Sequence, residues 1–236
     1  MTDTVRLGLP LLQPAQAQKH VTVNDALTRL DGVVQLVLLS ATVGMPPAGP
    51  QEGTAYGVPA GAVNAWAGQD GKVAVASNGG WTFVRPQAGW RAFVADRGVE
   101  ALYDGAVWQA GAITLSGHGA GMLAGLIEFD HAVVAGVASL SSVTIPSHVL
   151  VVGVTARVVT AITGTLTAWS LGNPGAVGRF GSGLGLAAGS WSRGLLSQPM
   201  AFYAPTPLEL RGEGGEFSSG IVRIAVHYLE LALPSE

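Results

Sequence analysis

From residue 45 onward the chain is punctuated by turn chemistry, and this restricts the folds open to it more than any other property. The dipeptides Asp70-Gly71, Asn78-Gly79 and Asp104-Gly105, with Arg97-Gly98 as a weaker member, stand between short apolar runs. Asn-Gly and Asp-Gly supply the positive φ angles that tight hairpins need. Just before them, Met45-Pro-Pro-Ala-Gly-Pro-Gln-Glu-Gly53 forms a linker that no helix could cross. Residues 45–110 therefore read as a small tryptophan-rich module of short hairpins. In it Trp66, Trp81, Trp90 and Trp108 lie next to turns, where each ring would cap a small core.

Residues 111–125 are mostly Gly, Ala and Ser and read as a connector. Strand patterns resume at Leu126 and run to the end. Val149-Leu-Val-Val-Gly-Val154 is apolar at odd and even positions alike, as expected of a strand covered on both faces. Val222, Ile224, Val226 and Tyr228 alternate along the last strand before the apolar positions move to Leu229, Leu231 and Leu233, which predicts a bulge or bend. Residues 126–236 are thus expected to form a C-terminal β-sandwich of jelly-roll type, with Leu233–Glu236 as an exposed tail. The fold class is mainly β.

Only the start differs. Residues 1–44 form an N-terminal segment in which Val23, Ala26, Leu27, Leu30, Val34 and Val37 recur at helical spacing, predicting a helix over about 23–40. Thr22 and Asp25 have the spacing of a capping box at its entry. Gly32 interrupts about two heptads, too few for an isolated coiled coil, so the helix needs a surface to pack on.

The run Gln16-Ala-Gln-Lys-His20, followed by Asn24-Asp-Ala26 and Arg29-Leu-Asp31, resembles the head of an uncharacterised family of fibre and spike proteins. That family occurs in alphaproteobacterial phages, prophages and gene transfer agents. The resemblance continues through the tryptophan-rich middle to Ala204-Pro-Thr-Pro207 and Ile224-Ala-Val-His-Tyr-Leu-Glu230. It implies a homotrimer at the surface of a virion or phage-like particle. It also implies an N-terminal segment docked on other particle proteins, and contact with host-surface polysaccharide. The family offers no catalytic residues to carry over.

Composition agrees with an assembling protein. Of the 236 residues, 48% are hydrophobic and 11% charged, less than half the roughly 25% usual in soluble domains. Such a chain is expected to cover apolar surface against copies of itself. A net charge of -3, with lysine only at 19 and 72, gives no footprint for nucleic acid. With no cysteine there can be neither a disulfide nor a thiolate metal site. The start lacks the pattern of a secretory signal and no stretch is apolar for long enough to span a bilayer, so synthesis in the cytoplasm without membrane insertion is expected.

Catalytic templates fail. Ser182 has Phe180 and Leu184 where a nucleophile elbow needs glycines, and Gly181, Gly183 and Gly185 lack the distant glycine and following helix of a dinucleotide site. Glu213 and Glu216 form a close carboxylate pair in the C-terminal module, in a glycine-rich loop that a partner subunit would have to brace for glycoside hydrolysis. Histidines 20, 118, 131, 148 and 227 lack metal-site spacing, so neither metal nor cofactor is expected. What remains is aromatic recognition: Trp169, Trp191 and Tyr203 fall in or near predicted loops and are the candidate ligand-binding residues, since sugar C–H faces stack on flat rings. The expected function is a non-enzymatic adhesin that binds surface polysaccharide. A capsule depolymerase with an inter-subunit site and a spacer carrying another receptor-binding protein are the alternatives.

Overall fold

The computed structural model describes residues 3–13 and 19–234, and the chain is mainly β. The Gln16–Gln18 part of the N-terminal motif and the last two residues of the expected tail lie outside the described residues. Two compact units, Met1–Gly119 with Pro234–Glu236 and Ala120–Leu233, divide the chain.

The first unit holds α1 (Lys19–Val33), β1 (Val37–Leu38), β2 (Ala55–Gly57), β3 (Val73–Ser77), β4 (Gly80–Val84), β5 (Arg91–Val94), β6 (Val99–Tyr103), β7 (Trp108–Ala110) and β8 (Ala112–Leu115). Its seven-stranded sheet runs β4-β3-β2-β1-β5-β6-β7. The two-residue β1 lies at the centre and pairs parallel with both β2 and β5, while the remaining pairs are antiparallel hairpins. Asn78 and Gly79, at φ 52° and 72°, make the two-residue turn between β3 and β4, as their sequence predicts. At the β6–β7 turn the Asp104 carboxylate accepts the Ala106 and Val107 amides at 2.7 and 2.8 Å.

The helix differs from the expected one at both ends. Thr22 and Asp25 lie inside it, where Asp25 forms an exposed pair with Arg29 at 3.2 Å. It stops at Val33 because Gln35 takes a positive φ of 49° and the chain then enters the sheet: Leu36 and Leu38 are buried in the core of this unit, with Val73, Val75 and Ala92. The apolar periodicity through Val34 and Val37 therefore spans a helix and a strand. Gly32 is no weakness in this setting. A Cβ there would come within 2.8 Å of the Val75 side chain, so its absence lets α1 sit directly on β3.

Asp31 ties the chain start to the helix end. Its carboxylate, 4% exposed, accepts hydrogen bonds from Thr4 Oγ1 at 2.7 Å, the Leu7 amide at 2.6 Å and the Arg6 amide at 3.1 Å. The Arg6 guanidinium in turn donates to the carbonyls of Asp31 and Gly32, which the helix leaves without internal partners, and to that of Gln35 just beyond it. Burial would push the Asp31 carboxyl up, but these hydrogen bonds together with the Arg6 charge hold it below the ordinary value.

The second unit contains β9 (Gly121–Ala132), β10 (Ala138–Ile145), β11 (Val149–Gly164), β12 (Ala168–Asn173), β13 (Ala176–Leu184), β14 (Trp191–Phe202), β15 (Thr206–Glu213) and β16 (Phe217–Ala232). The expected connector is thus largely strand, holding all of β8 and the first part of β9. Apart from β12 and β13, which are neighbours in one sheet, successive strands of this unit alternate between two sheets, in the orders β10-β15-β12-β13 and β14-β11-β16-β9. This is compatible with a jelly roll, whose eight strands form two Greek keys.

Val154, Val222, Ile224 and Val226 from one sheet pack between the sheets with Trp169, Leu171, Leu208 and Leu210 from the other. Each such side chain, when fully buried, stabilises by about 1.5–3 kcal/mol before entropy is counted. The mixed pattern of 149–154 has a specific cause. The register of β11 shifts between Val151 and Gly153, so its inward positions change from Val149 and Val151 to Val154, Ala156 and Val158. The bend predicted for the last strand is absent from its pairing with β9, which runs unbroken from Ile221 to Ala232. Leu229 and Leu231 consequently lie on the outer face, Leu231 at 65% exposure.

Candidate functional site

The three candidate aromatics are dispersed by the fold. Trp169 lies on the inner face of β12, is 1% exposed and donates its indole N–H to the Gly185 carbonyl at 3.0 Å. It is a core residue, because β12 is covered by the opposite sheet. Tyr203 follows the end of β14, is 78% exposed and meets the His148 ring edge-on at 6.4 Å. Trp191 opens the same strand, so the two lie at opposite ends of a 12-residue strand. No single ligand-sized site can include all three.

Trp191 lies in a concavity. It is 62% exposed and lines a depression of about 470 Å³ on the outer face of β14-β11-β16-β9, with Glu128, Thr155, Arg157, Arg193 and Arg223. Strand register explains the grouping. Trp191 pairs with Arg157, Arg157 with Arg223, and Arg223 with Asp130, giving one row across four strands. The next row on that face is Arg193, Thr155, Ala225 and Glu128. Side chains directly opposite one another stand about 4.5–5.5 Å apart at Cβ, so the rows hold a flat ring, cations and acids within reach of one small molecule.

The electrostatics within the rows are uneven. Arg223 donates to both Asp130 oxygens, Nε at 2.7 Å and Nη2 at 2.8 Å, a forked pair that holds the Asp130 carboxyl below its usual value. The Arg193 guanidinium lies 5.7 Å from the centre of the Trp191 ring. His227, in the row beyond, shares a hydrogen bond of 3.1 Å with Thr155. The sequence pointed to Trp191 but not to the arginines, whose grouping depends on the β14–β11–β16 register.

A larger concavity, about 780 Å³, lies in the first unit and is lined by Asp70, Arg85, Gln87, Tyr103 and Trp108 among small apolar residues. Its aromatic groups face inward chemically. The Tyr103 hydroxyl donates to the Gly71 carbonyl at 3.0 Å, and the Trp108 indole N–H is buried without a partner among the described residues, in the space left by the missing side chain of Gly57. Trp66 is fully buried, with Trp81 and Tyr56 packed around it at 5.1 and 5.3 Å.

The loop carrying Glu213 and Glu216 joins β15 to β16. The Glu213 carboxylate accepts the Gly183 amide at 3.1 Å, while Glu216 is exposed. Among the described residues, no group of three or more potential metal ligands comes together, and no helix is long and apolar enough to cross a membrane.

Residues 23–109 match a family described as a protein of unknown function, DUF2793, which covers less than half of the chain. No curated protein matches. Among solved structures, a chain of the cyanophage Pam1 capsid asymmetric unit is similar at 22% identity and a TM-score of 0.36, over 52% of this chain and 93% of that one.

Proposed function

We propose that the chain is a structural adhesion subunit of a phage-like particle, which binds host-surface polysaccharide on the outer face of β14-β11-β16-β9 without cleaving it. The observation that carries this reading is the Trp191 depression: an exposed indole with an arginine over its ring, beside a forked Arg–Asp pair and further hydroxyl and carboxylate groups. Indole offers a platform for sugar C–H faces, and the surrounding fixed donors and acceptors suit hydroxyls. The particle assignment follows the resemblance of the N-terminal motif to fibre and spike proteins. Assembly with copies of itself is supported by the low charge of the chain, and the homotrimer follows the same resemblance to fibre and spike proteins.

The test is retention of purified protein on surface polysaccharide from candidate host cells, with polymer length followed in the same samples. Retention with unchanged length is expected, weakened about tenfold or more by Trp191→Ala and unaffected by Tyr203→Ala. Shortening of the polymer would replace the adhesin with a depolymerase, and absence of retention would favour the spacer. Sedimentation equilibrium should return three times the chain mass of 24.0 kDa.

A further inference from the structure

Within the Trp191 depression the charges do not balance. Arg157 stands directly opposite Arg223 on the neighbouring strand, an arrangement of like charges that is unfavourable unless something answers it. Asp130 already answers Arg223 through two hydrogen bonds. Arg193 is placed over the Trp191 ring. Glu128 is the other acid in the depression, one row away from Arg157. Arg157 itself is exposed and has no ion pair or hydrogen bond among the described residues. The whole chain has 12 lysines and arginines against 15 acids, yet three arginines converge here.

We infer that the depression selects anionic sugars, with Arg157 as the residue that receives the acidic group. This inference rests on the glycan reading above. A pyranose stacked on Trp191 would present a ring substituent to Arg157, its direct cross-strand neighbour. The planar guanidinium matches a carboxylate through two parallel hydrogen bonds, a geometry that an ammonium cannot reproduce. Thr155 and Glu128, in the next row, are placed for the hydroxyls. The chemistry selected is a carboxylate-bearing pyranose, and a sugar phosphate would use the same fork.

The experiment is binding of the full chain to immobilised uronate- and sialate-bearing glycans, each presented beside its carboxyl-reduced form, with phosphorylated glycans as a third arm. Stronger binding to the carboxylated member of a pair is expected. Arg157→Gln should lower binding of the carboxylated member about tenfold more than binding of its reduced form, and Arg157→Lys should restore only part of that difference. Equal binding to native and reduced forms would overturn the anionic inference and leave the glycan reading standing, and preference for the phosphorylated arm alone would overturn the carboxylate. Binding to no glycan would overturn both. A change in sedimentation mass for Arg157→Gln would show the row to be a subunit interface, and would also overturn the inference.

Discussion

His131 shows how burial decides the behaviour of a single titratable group. It is 7% exposed, and its Nε2 shares a 2.8 Å hydrogen bond with Ser139 Oγ, which also accepts the Val134 amide. Desolvation pushes the imidazole below its ordinary value near 6.5, so the folded protein favours the neutral ring. The unfolded chain then takes up a proton more readily than the folded one as the solution becomes acidic. Stability from this group is complete above about pH 6.5 and is lost as pH falls through the depressed folded value. Thermal melts of the wild type against His131→Gln between pH 7.5 and 5 should show a steeper loss for the wild type, and parallel curves would refute this linkage. In the sequence His131 was one of five histidines without metal spacing. Its burial and its serine partner follow from the turn between β9 and β10.

At the scale of elements, the most instructive case is α1. Its existence was legible from apolar spacing, but its ends were not, because Val34 and Val37 extend a helical pattern that the sheet uses for a strand. Asp31 explains the exit: hydrogen bonds from Thr4, Arg6 and Leu7 fasten the preceding loop to the last turn. Asp31→Ala would leave the Thr4 hydroxyl and two amides without their acceptor. A loss of about 2–4 kcal/mol is expected, since a buried donor left without a partner costs about 1–3 kcal/mol. Denaturant unfolding would measure it, with Asp31→Asn intermediate because the amide keeps one acceptor oxygen. A loss below half a kcal/mol would show that the loop is held by other contacts.

For the whole molecule, the sheet orders matter more than any motif. The core of the second unit draws on both of its sheets and is closed within residues 120–233, so that stretch expressed alone should unfold in one cooperative transition. A non-cooperative melt with exposed apolar surface would count against it. The first unit tolerates truncation less well. A chain beginning at Thr54 lacks β1, which joins the β2 side of the sheet to the β5 side, and would split that sheet. Tests of particle attachment through the N-terminal segment therefore need substitutions on the exposed helix positions Val21, Val23 and Leu30 rather than deletion.

The sequence by itself determined what is local. Turn dipeptides, alternation and the proline linker fixed a mainly β chain with one helix near its start, since backbone preference and side-chain period act over a few residues. Only the tertiary structure decided what depends on pairing between distant segments. The β11 register shift produced the mixed pattern of Val149–Val154, and strand order sent Trp169 into the core and left Trp191 outside. The register of β14, β11 and β16 aligned Trp191, Arg157 and Arg223, residues up to 66 positions apart, into one row. A single sequence carries alternation but no register, because shifting a strand by two residues preserves its faces while changing every neighbour.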